Sequence, residues 1–232
     1  MKTSAVILFM LYFLLAGCTV YMPQPVPICL MSARNQVQLS GGFTIIPGIA
    51  GSAAYSPVNH LAVQVYGFAA PDQIHNYQAA TGYYWNKGAD LNLEVYGGLA
   101  GGEGKLINTA IPASYKGNYR LYFAQFNLGQ QNQGKKHIDY GFGLKTGLFD
   151  AHTTDDGFYE RNAPNPVQSR HQYILLEPAA FFRTGSEKFK TGFQLNGASL
   201  INAGSKQNQI PYHTVTLGIT LNYFFSTGKI SR

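Results

Sequence analysis

The sequence predicts an all-β fold, an antiparallel up-and-down transmembrane β-barrel of about ten strands, with eight strands as the alternative. Apolar and polar residues alternate with period two along most of the chain after residue 34, and no stretch there keeps helical spacing. Charged residues make up 12% of the chain and aromatic residues 14%, whereas soluble domains carry about 25% charged residues. Low charge with many aromatic residues is typical of a barrel whose apolar face meets lipid.

The first 17 residues predict a cleaved lipoprotein signal peptide. Lys2 precedes the apolar run 5–16, which is too short to span a membrane and fits a signal-peptide core. The residues that follow, Leu15-Ala16-Gly17-Cys18, resemble a bacterial lipobox. The resemblance implies that the Cys18 thiol takes a diacylglyceryl group, that cleavage falls before Cys18, and that the new N-terminus carries three acyl chains such as palmitate. An ordinary signal peptide is the alternative. The second cysteine, Cys29, then has no disulfide partner in the chain.

Residues 18–34 are interpreted as a proline-rich tether between the acylated cysteine and a barrel domain at 35–232. Pro23, Pro25 and Pro27 follow one another too closely for a helix or a central strand. We therefore expect an extended, semi-rigid segment outside the barrel.

The barrel domain divides into segments of about the 9–11 residues that a tilted transmembrane strand requires. Alternation is clear in 138–144 and in 215–225, and Pro178 predicts a bulge within its strand. Short connections alternate with longer ones such as 101–117 and 148–171, as expected for a barrel with an even number of strands and both termini in the periplasm. The expected strands are 36–45, 49–57, 61–69, 77–86, 90–100, 118–128, 137–147, 172–183, 188–200 and 212–225.

The polar faces of these strands carry few charges, and the charges have both signs. A barrel of eight to ten strands has a narrow bore, and buried charges must pair. We therefore expect a plugged lumen without a channel, stabilised by a balanced charge network. Its expected members are Glu94, Arg120, Asp139, Lys145, Glu177 and Lys190.

The chain offers little catalytic chemistry, and we expect no enzymatic activity and no cofactor. Two pairs could supply a nucleophile and a base: Ser56 with His60, and Thr214 with His213. Neither pair has an acidic residue next to it in sequence that would orient the histidine. The segment 152–156 (HTTDD) carries oxygen ligands for a cation, but a solvated loop tip is the favoured interpretation. No spacing of cysteine and histidine suits zinc, so no metal site is expected.

The N-terminal half carries a resemblance to a known group of proteins. Cys18 is followed by Tyr21-x-Pro23, then by 36–42 (QVQLSGG) and 53–63 (AAYSPVNHLAV). This arrangement resembles small, uncharacterised outer-membrane β-barrel lipoproteins of Gram-negative bacteria. The resemblance implies a barrel in the cell outer membrane and implies no established activity.

Three functions are consistent with the sequence. The favoured one is a structural or accessory barrel within a larger outer-membrane assembly, with the segments 101–117 and 148–171 as contact surfaces. The alternatives are a tethered lipocalin-like barrel that binds a small apolar ligand, and a lipid-modifying barrel enzyme. The expected partners are membrane lipid, through an anchor at Cys18 in the periplasmic leaflet, and outer-membrane proteins. Because the basic residues are scattered, no nucleic acid is expected.

Overall fold

The strands of the computed structural model close into a single antiparallel barrel. The structure describes residues 20–23, 27–45, 48–70, 74–87, 91–108, 113–131, 137–158, 165–203 and 210–227. Within them, the strand segments are β1 (Gln36–Thr44), β2 (Gly48–Val58), β3 (Leu61–Ala70), β4 (Ile74–Lys87), β5 (Leu91–Asn108), β6 (Ala113–Gln131), β7 (Asp139–Asp156), β8 (Val167–Gly185), β9 (Phe189–Gly197), β10 (Ser199–Asn202) and β11 (Val215–Ser226).

Neighbours in sequence pair along the sheet from β1 to β8, and two further pairings close it. β11 pairs with β1 on one side and with β9 on the other, and β9 also pairs with β8. β9 and β10 both pair with β8 and form two halves of one strand. Among the described residues, eleven segments therefore make a barrel of ten strands, which confirms the predicted fold class and excludes the eight-stranded alternative.

The barrel has two unlike ends, named here by their connections. The turn end carries the connections 59–60, 88–90, 132–138 and 186–188. The loop end carries the short connections 45–47, 71–73 and 109–112 and the longer ones 157–166 and 203–214. β5 to β8 extend well beyond the other strands at the loop end. One wall of the barrel is therefore taller than the other.

Along each strand, apolar residues of the outward face are exposed and the alternate residues are buried inside. In β7, Phe142 is 67% exposed and Leu148 is 64% exposed, whereas Asp139 and Lys145 are buried. A barrel that is soluble in water would place its apolar face inside. The described outward face carries, among others, Leu39, Phe43, Ile49, Val63, Val65, Leu99, Tyr122, Phe126, Leu144, Ile174, Phe193, Leu195, Ile219 and Leu221.

The structure corrects the expectation that 101–117 and 148–171 are loops. Most of both segments lies in the extended strands β5 to β8. The glycines of 97–104 suggest a flexible loop in the sequence, but in β5 Gly98 and Gly102 face inward and make room for the rings of Phe123 and Tyr119. A Cβ atom on Gly98 would lie 2.6 Å from Cζ of Phe123, a separation that real side chains do not adopt.

Pro178 interrupts the sheet without the bulge that the sequence suggests. The pairs Ala179–Asn196 and Leu176–Ser199 keep one register on either side of it, so the expected bulge is wrong. Proline lacks the N–H that a ladder hydrogen bond needs. The hydrogen-bonded pairing with β8 is therefore interrupted between β9 and β10, opposite Pro178. The register is the same on both sides of this interruption.

We expect Gly98→Ala to destabilise the barrel and Gly97→Ala to leave it unchanged. A Cβ atom on Gly98 would lie 2.5 Å from the backbone oxygen of Ala79, whereas a Cβ atom on Gly97 faces outward with no atom within 4 Å. Overpacking of this kind costs about 1–3 kcal/mol. The measurement is the temperature at which the folded, fast-migrating band is lost in electrophoresis. Equal temperatures for the two variants would contradict the inward assignment of Gly98.

Candidate functional site: the filled lumen

The lumen is occupied by the chain's own N-terminal segment. We call the described residues 20–23 and 27–34 the lumen segment. Its apolar side chains are almost fully shielded from solvent and lie among side chains of the barrel wall. The expectation of an extended tether outside the barrel is therefore wrong for these residues. The buried members are Val20, Tyr21, Met22, Ile28, Cys29, Leu30 and Met31, each 0–4% exposed.

Wall side chains satisfy the backbone of the lumen segment. The N–H of Met31 donates to Oε1 of Glu94 at 2.6 Å, and neither Pro23 nor Pro27 has an N–H that would need an acceptor. The prolines therefore suit a strand-like segment that has no neighbouring strand. Three further pairs join wall donors to carbonyl oxygens of the segment: Gln131 Nε2 with Leu30 (2.9 Å), Gln125 Nε2 with Pro27 (3.0 Å) and Thr216 Oγ1 with Pro23 (2.9 Å).

Glycines in the wall leave space for the side chains of the lumen segment. A Cβ atom on Gly129 would lie 2.7 Å from Cδ1 of Leu30, and one on Gly143 would lie 2.9 Å from Cδ1 of Ile28. Cβ atoms essentially never approach other atoms so closely, so the wall and the segment are matched in shape. Beside Pro27 a gap of about 40 Å³ remains, which is room for a few water molecules.

Charged side chains pair inside the lumen along the neighbouring strands β7, β8 and β9, and five of the six residues expected in a charge network lie in the lumen. Nζ of Lys145 lies 2.6 Å from Oε2 of Glu177, and Nζ of Lys190 lies 2.6 Å from Oδ1 of Asp139. Glu94 is buried and accepts hydrogen bonds from the lumen segment and from the wall. Fixed partners of opposite charge are what buried ionised groups need.

The sixth expected member, Arg120, lies elsewhere. It is on the exposed face of β6, opposite Asp150 of β7. There Arg170 binds Asp150 through two hydrogen bonds, of 2.9 and 2.7 Å, and this contact lowers the pKa of the Asp150 carboxyl. The structure therefore corrects the assignment of Arg120 to the lumen. Beside Arg120 both faces of β6 carry apolar residues, with Leu121 inward and Tyr122 outward, so the sequence there does not show which face is inward.

Arg183 occupies the place expected for Arg120. Its Nε lies 3.8 Å from Oδ2 of Asp139, and its guanidinium lies 4.6 Å from the ring centroid of Phe181. With Arg183 the network contains three acids and three bases. The sequence does indicate this residue, because Arg183 lies six positions after Glu177 on β8 and therefore on the same face of the strand.

The lumen segment enters at the turn end and leaves at the loop end. Near the turn end Asn86 Nδ2 donates to the oxygen of Ser32 at 2.6 Å. At the loop end Tyr21 forms a parallel bridge with Tyr212, and Val20 is the first described residue there. The start of the described chain, Val20, therefore lies at the loop end, whereas residues 32–35 lie at the turn end. The expectation of periplasmic termini stays a prediction. Cys18 and the signal peptide lie outside the described residues.

The residue pairs considered for catalysis are engaged in local structure. Ser56 Oγ lies 2.9 Å from the hydroxyl of Tyr84, and His60 Nδ1 lies 3.0 Å from the backbone oxygen of the same tyrosine. The backbone N–H of His213 donates to Tyr21, while Thr214 is exposed beside it. Both pairs therefore contribute hydrogen bonds that fix turns and the lumen segment.

The segment 152–156 does not form a loop tip. It belongs to β7, so successive side chains point to opposite sides of the wall. Asp155 points inward and accepts a hydrogen bond from the N–H of Phe158 at 2.7 Å, whereas His152 and Asp156 are exposed. In the described part of the chain, no three histidine, cysteine, aspartate or glutamate side chains lie together as a metal centre would require. Among those residues there is also no helix long and apolar enough to cross a membrane.

Comparison with known proteins leaves the identification at the level of the fold. No family model matches the sequence, and no curated protein matches it. Among solved structures, the chain matches the N-terminal β-barrel domain of Pseudomonas aeruginosa OprF with 14% identity over 84% of this chain and 100% of that chain, at a TM-score of 0.33. A TM-score this low supports no conclusion about this chain, so its class, a closed ten-stranded barrel, follows from its own pairing. The resemblance to small barrel lipoproteins stays a prediction.

We expect Lys145→Met to destabilise the barrel by about 3–5 kcal/mol, because breaking a buried pair from one side leaves the carboxylate of Glu177 without its cation. The double variant Lys145→Met/Glu177→Gln should recover most of that loss, since it removes both charges. The loss of the folded band on heating measures both effects. If the double variant is no more stable than the single one, the ion pair does not determine stability.

Proposed function

We propose that this chain is an outer-membrane β-barrel lipoprotein with a structural or accessory role, acylated at Cys18 and closed to transport. The observation that carries the proposal is the combination of an apolar outer wall with a lumen filled by the chain's own N-terminal segment. The apolar wall favours an integral membrane protein, and the filled lumen favours a role other than transport.

The outward apolar residues form a band of suitable height for a membrane. In β5 the band runs from Leu91 to Leu99, and in β7 it runs from Tyr140 to Leu148. About nine residues in a tilted strand cross the hydrocarbon layer of a bilayer. Beyond Leu148 the outward residues are polar or charged, as in the pair of Asp150 with Arg170. The tall wall of β5 to β8 therefore extends past the band on the loop side.

The asymmetry of the two ends supports an orientation in the membrane. Outer-membrane barrels have short periplasmic turns and longer extracellular loops. Here the longest connections, 157–166 and 203–214, and the extensions of β5 to β8 all lie at one end. We therefore place the loop end outside the cell and the turn end in the periplasm.

The filled lumen weighs against a channel and against a lipocalin-like binding barrel. Pockets for small ligands usually enclose about 300–1,000 Å³, whereas the gap beside Pro27 is about 40 Å³. Ligand entry would require the lumen segment to leave, together with its hydrogen bonds to Gln125 and Gln131. The apolar outer wall also has no counterpart in a barrel held in water.

The outward faces of the tall wall provide the surface that we assign to partner proteins. Above the apolar band these faces carry Lys116, Asn118 and His152, which are exposed. A rigid, polar sheet that projects from the membrane can dock against another protein without a change in the barrel. The accessory role thus rests on a surface located within the expected contact segments 101–117 and 148–171.

We expect Cys18→Ala to remain in the membrane, because the barrel holds itself there through its apolar band. Adding Leu144→Arg to that background should abolish insertion, since an arginine at mid-membrane depth costs about 2–4 kcal/mol. The matched control is Thr154→Arg, which lies on the same face of β7 beyond the band. Fractionation with heat-modifiable migration measures the outcome. Release of Cys18→Ala into the aqueous fraction would contradict membrane insertion by the barrel.

Partner binding should depend on the tall wall. The full chain, extracted in mild detergent and captured by a C-terminal tag, should recover other envelope proteins. Lys116→Glu should reduce that recovery, because charge reversal at a contact surface disfavours association. Lys188→Glu, which is exposed at the turn end, is the control and should have no effect. Recovery of the chain alone would remove the support for an accessory role.

A further inference from the structure

We propose that the mature N-terminus, with the acyl chains on Cys18, lies at the loop end of the barrel in the outer leaflet of the membrane. The inference rests on the proposed function, because acylation and orientation are part of it. It reverses the expectation of an anchor in the periplasmic leaflet. It follows from the path of the lumen segment through the barrel.

The path begins at the turn end, beside the end of the last strand. The N–H of Thr227 donates to the oxygen of Asn35 at 2.9 Å, and the N–H of Asn35 donates to the oxygen of Ser56 at 2.7 Å. Asn86 then binds the oxygen of Ser32. These contacts place residues 32–35 at the same end as the C-terminal part of the chain.

The middle of the path follows the wall in order. Leu30 lies against Gly129, which is near the end of β6 at the turn end, and Ile28 lies against Gly143. The oxygen of Pro27 is bound by Gln125, which is further from the turn end on β6. Each step toward the N-terminus therefore moves the segment toward the loop end.

The path ends among residues of the loop end. The N–H of Val20 donates to the oxygen of Pro211 at 2.9 Å, and the N–H of His213 donates to the oxygen of Tyr21 at 3.0 Å. Val20 packs with Leu106 and Tyr115, which lie in the tall wall beyond the apolar band. Contacts with both the tall wall and the connection 203–214 fix the exit of the segment.

The position of Val20 limits where Cys18 can reach. Cys18 precedes Val20 by two residues, and two residues span at most about 7 Å. The apolar band of an outer-membrane barrel is about 25 Å tall. Acyl chains on Cys18 therefore cannot enter the periplasmic leaflet while the lumen segment is in place. The leaflet within reach is the one at the loop end.

Withdrawal of the segment would be unfavourable, because its partners are buried in the wall. Glu94 would lose the hydrogen bond from Met31, and Gln125 and Gln131 would lose their acceptors. A buried donor or acceptor that loses its hydrogen-bond partner destabilises the folded protein. The filled lumen therefore holds the N-terminus at the loop end.

Cysteine labelling of intact cells tests the inference. Three single-cysteine variants are made in a Cys29→Ser background, and each is treated with a membrane-impermeant maleimide before and after permeabilisation of the outer membrane. Thr19→Cys reports on the N-terminus, Asp156→Cys on the loop end and Thr227→Cys on the turn end; the last two positions are exposed. Mass spectrometry of the chain with and without Cys18→Ala establishes acylation separately.

We expect Thr19→Cys and Asp156→Cys to react in intact cells, and Thr227→Cys to react only after permeabilisation. If Thr19→Cys, like Thr227→Cys, is labelled only after permeabilisation, the inference is overturned while the proposed function stands. If Asp156→Cys and Thr227→Cys behave alike, the barrel is not oriented across the membrane and the proposed function itself fails.

A cross-linking pair gives a second readout that does not depend on access of the reagent. Tyr21→Cys with Tyr212→Cys should form a disulfide in whole cells, since these residues bridge at the loop end. Tyr21→Cys with Ser226→Cys, at opposite ends of the barrel, should not. A disulfide to residue 226 rather than to residue 212 would overturn the inference even if the labelling variants failed to fold.

Discussion

The requirement that every buried polar group find a partner governs how this barrel is filled. A narrow lumen that excludes most water leaves inward amides and carboxylates without solvent, and unpaired buried groups are costly. The lumen segment meets part of this requirement because it supplies backbone groups to polar side chains of the wall. Glu94 shows the principle, since it accepts hydrogen bonds from the N–H of Met31 and from Nδ2 of Asn127. The wall in turn binds carbonyl oxygens that an isolated extended segment would leave unpaired.

Shape imposes a second condition, and the wall meets it with small residues. Where the segment presents Leu30 or Ile28, the wall presents Gly129 or Gly143. Where the segment presents Tyr21, the wall presents aromatic rings, with ring centroids 5.2 Å away at Tyr119 and 5.0 Å away at Phe149. The contact is thus close-packed, with glycines opposite Leu30 and Ile28 and aromatic rings around Tyr21, as in the interior of a soluble domain. The barrel and its N-terminal segment form one packed core.

The fold could be predicted from the sequence because alternation survives in most strands. Ten strands follow from the period-two pattern, and the bounds of β1 and β2 agree within a residue or two in spite of Pro47 and the nearby glycines. The extensions of β5 to β8 were missed, since glycines and short polar residues give no apolar alternation there. Of the glycines in β5, Gly98 and Gly102 face inward, where the rings of Phe123 and Tyr119 occupy the space that a side chain would fill.

The lumen site could be predicted only in part. Alternation along a strand does not always show which face is inward, and residues that contact each other can lie far apart in the sequence. Lys145, Glu177 and Lys190 lie on strands with one polar face, so their inward position can be read locally. The residues next to Arg120 in β6 are apolar on both faces, Leu121 inward and Tyr122 outward, so the sequence does not show that Arg120 points outward. The lumen segment has no local signature beyond the apolar run 28–31, which would be unfavourable in a solvated tether. The partners of its buried part lie far away in sequence, as the contact between Cys29 and Gln64 shows.

The filled lumen also ties the N-terminal segment to several parts of the wall. Val20 packs against Leu106 and Tyr115 of the tall wall, and Met22 packs against Tyr66 and Phe68 of β3. With the segment in place, a gap of about 40 Å³ remains beside it, which is room for a few water molecules. Pairing of β1 with β11 closes the wall around these contacts, so loss of the segment would remove packing from both β3 and the tall wall.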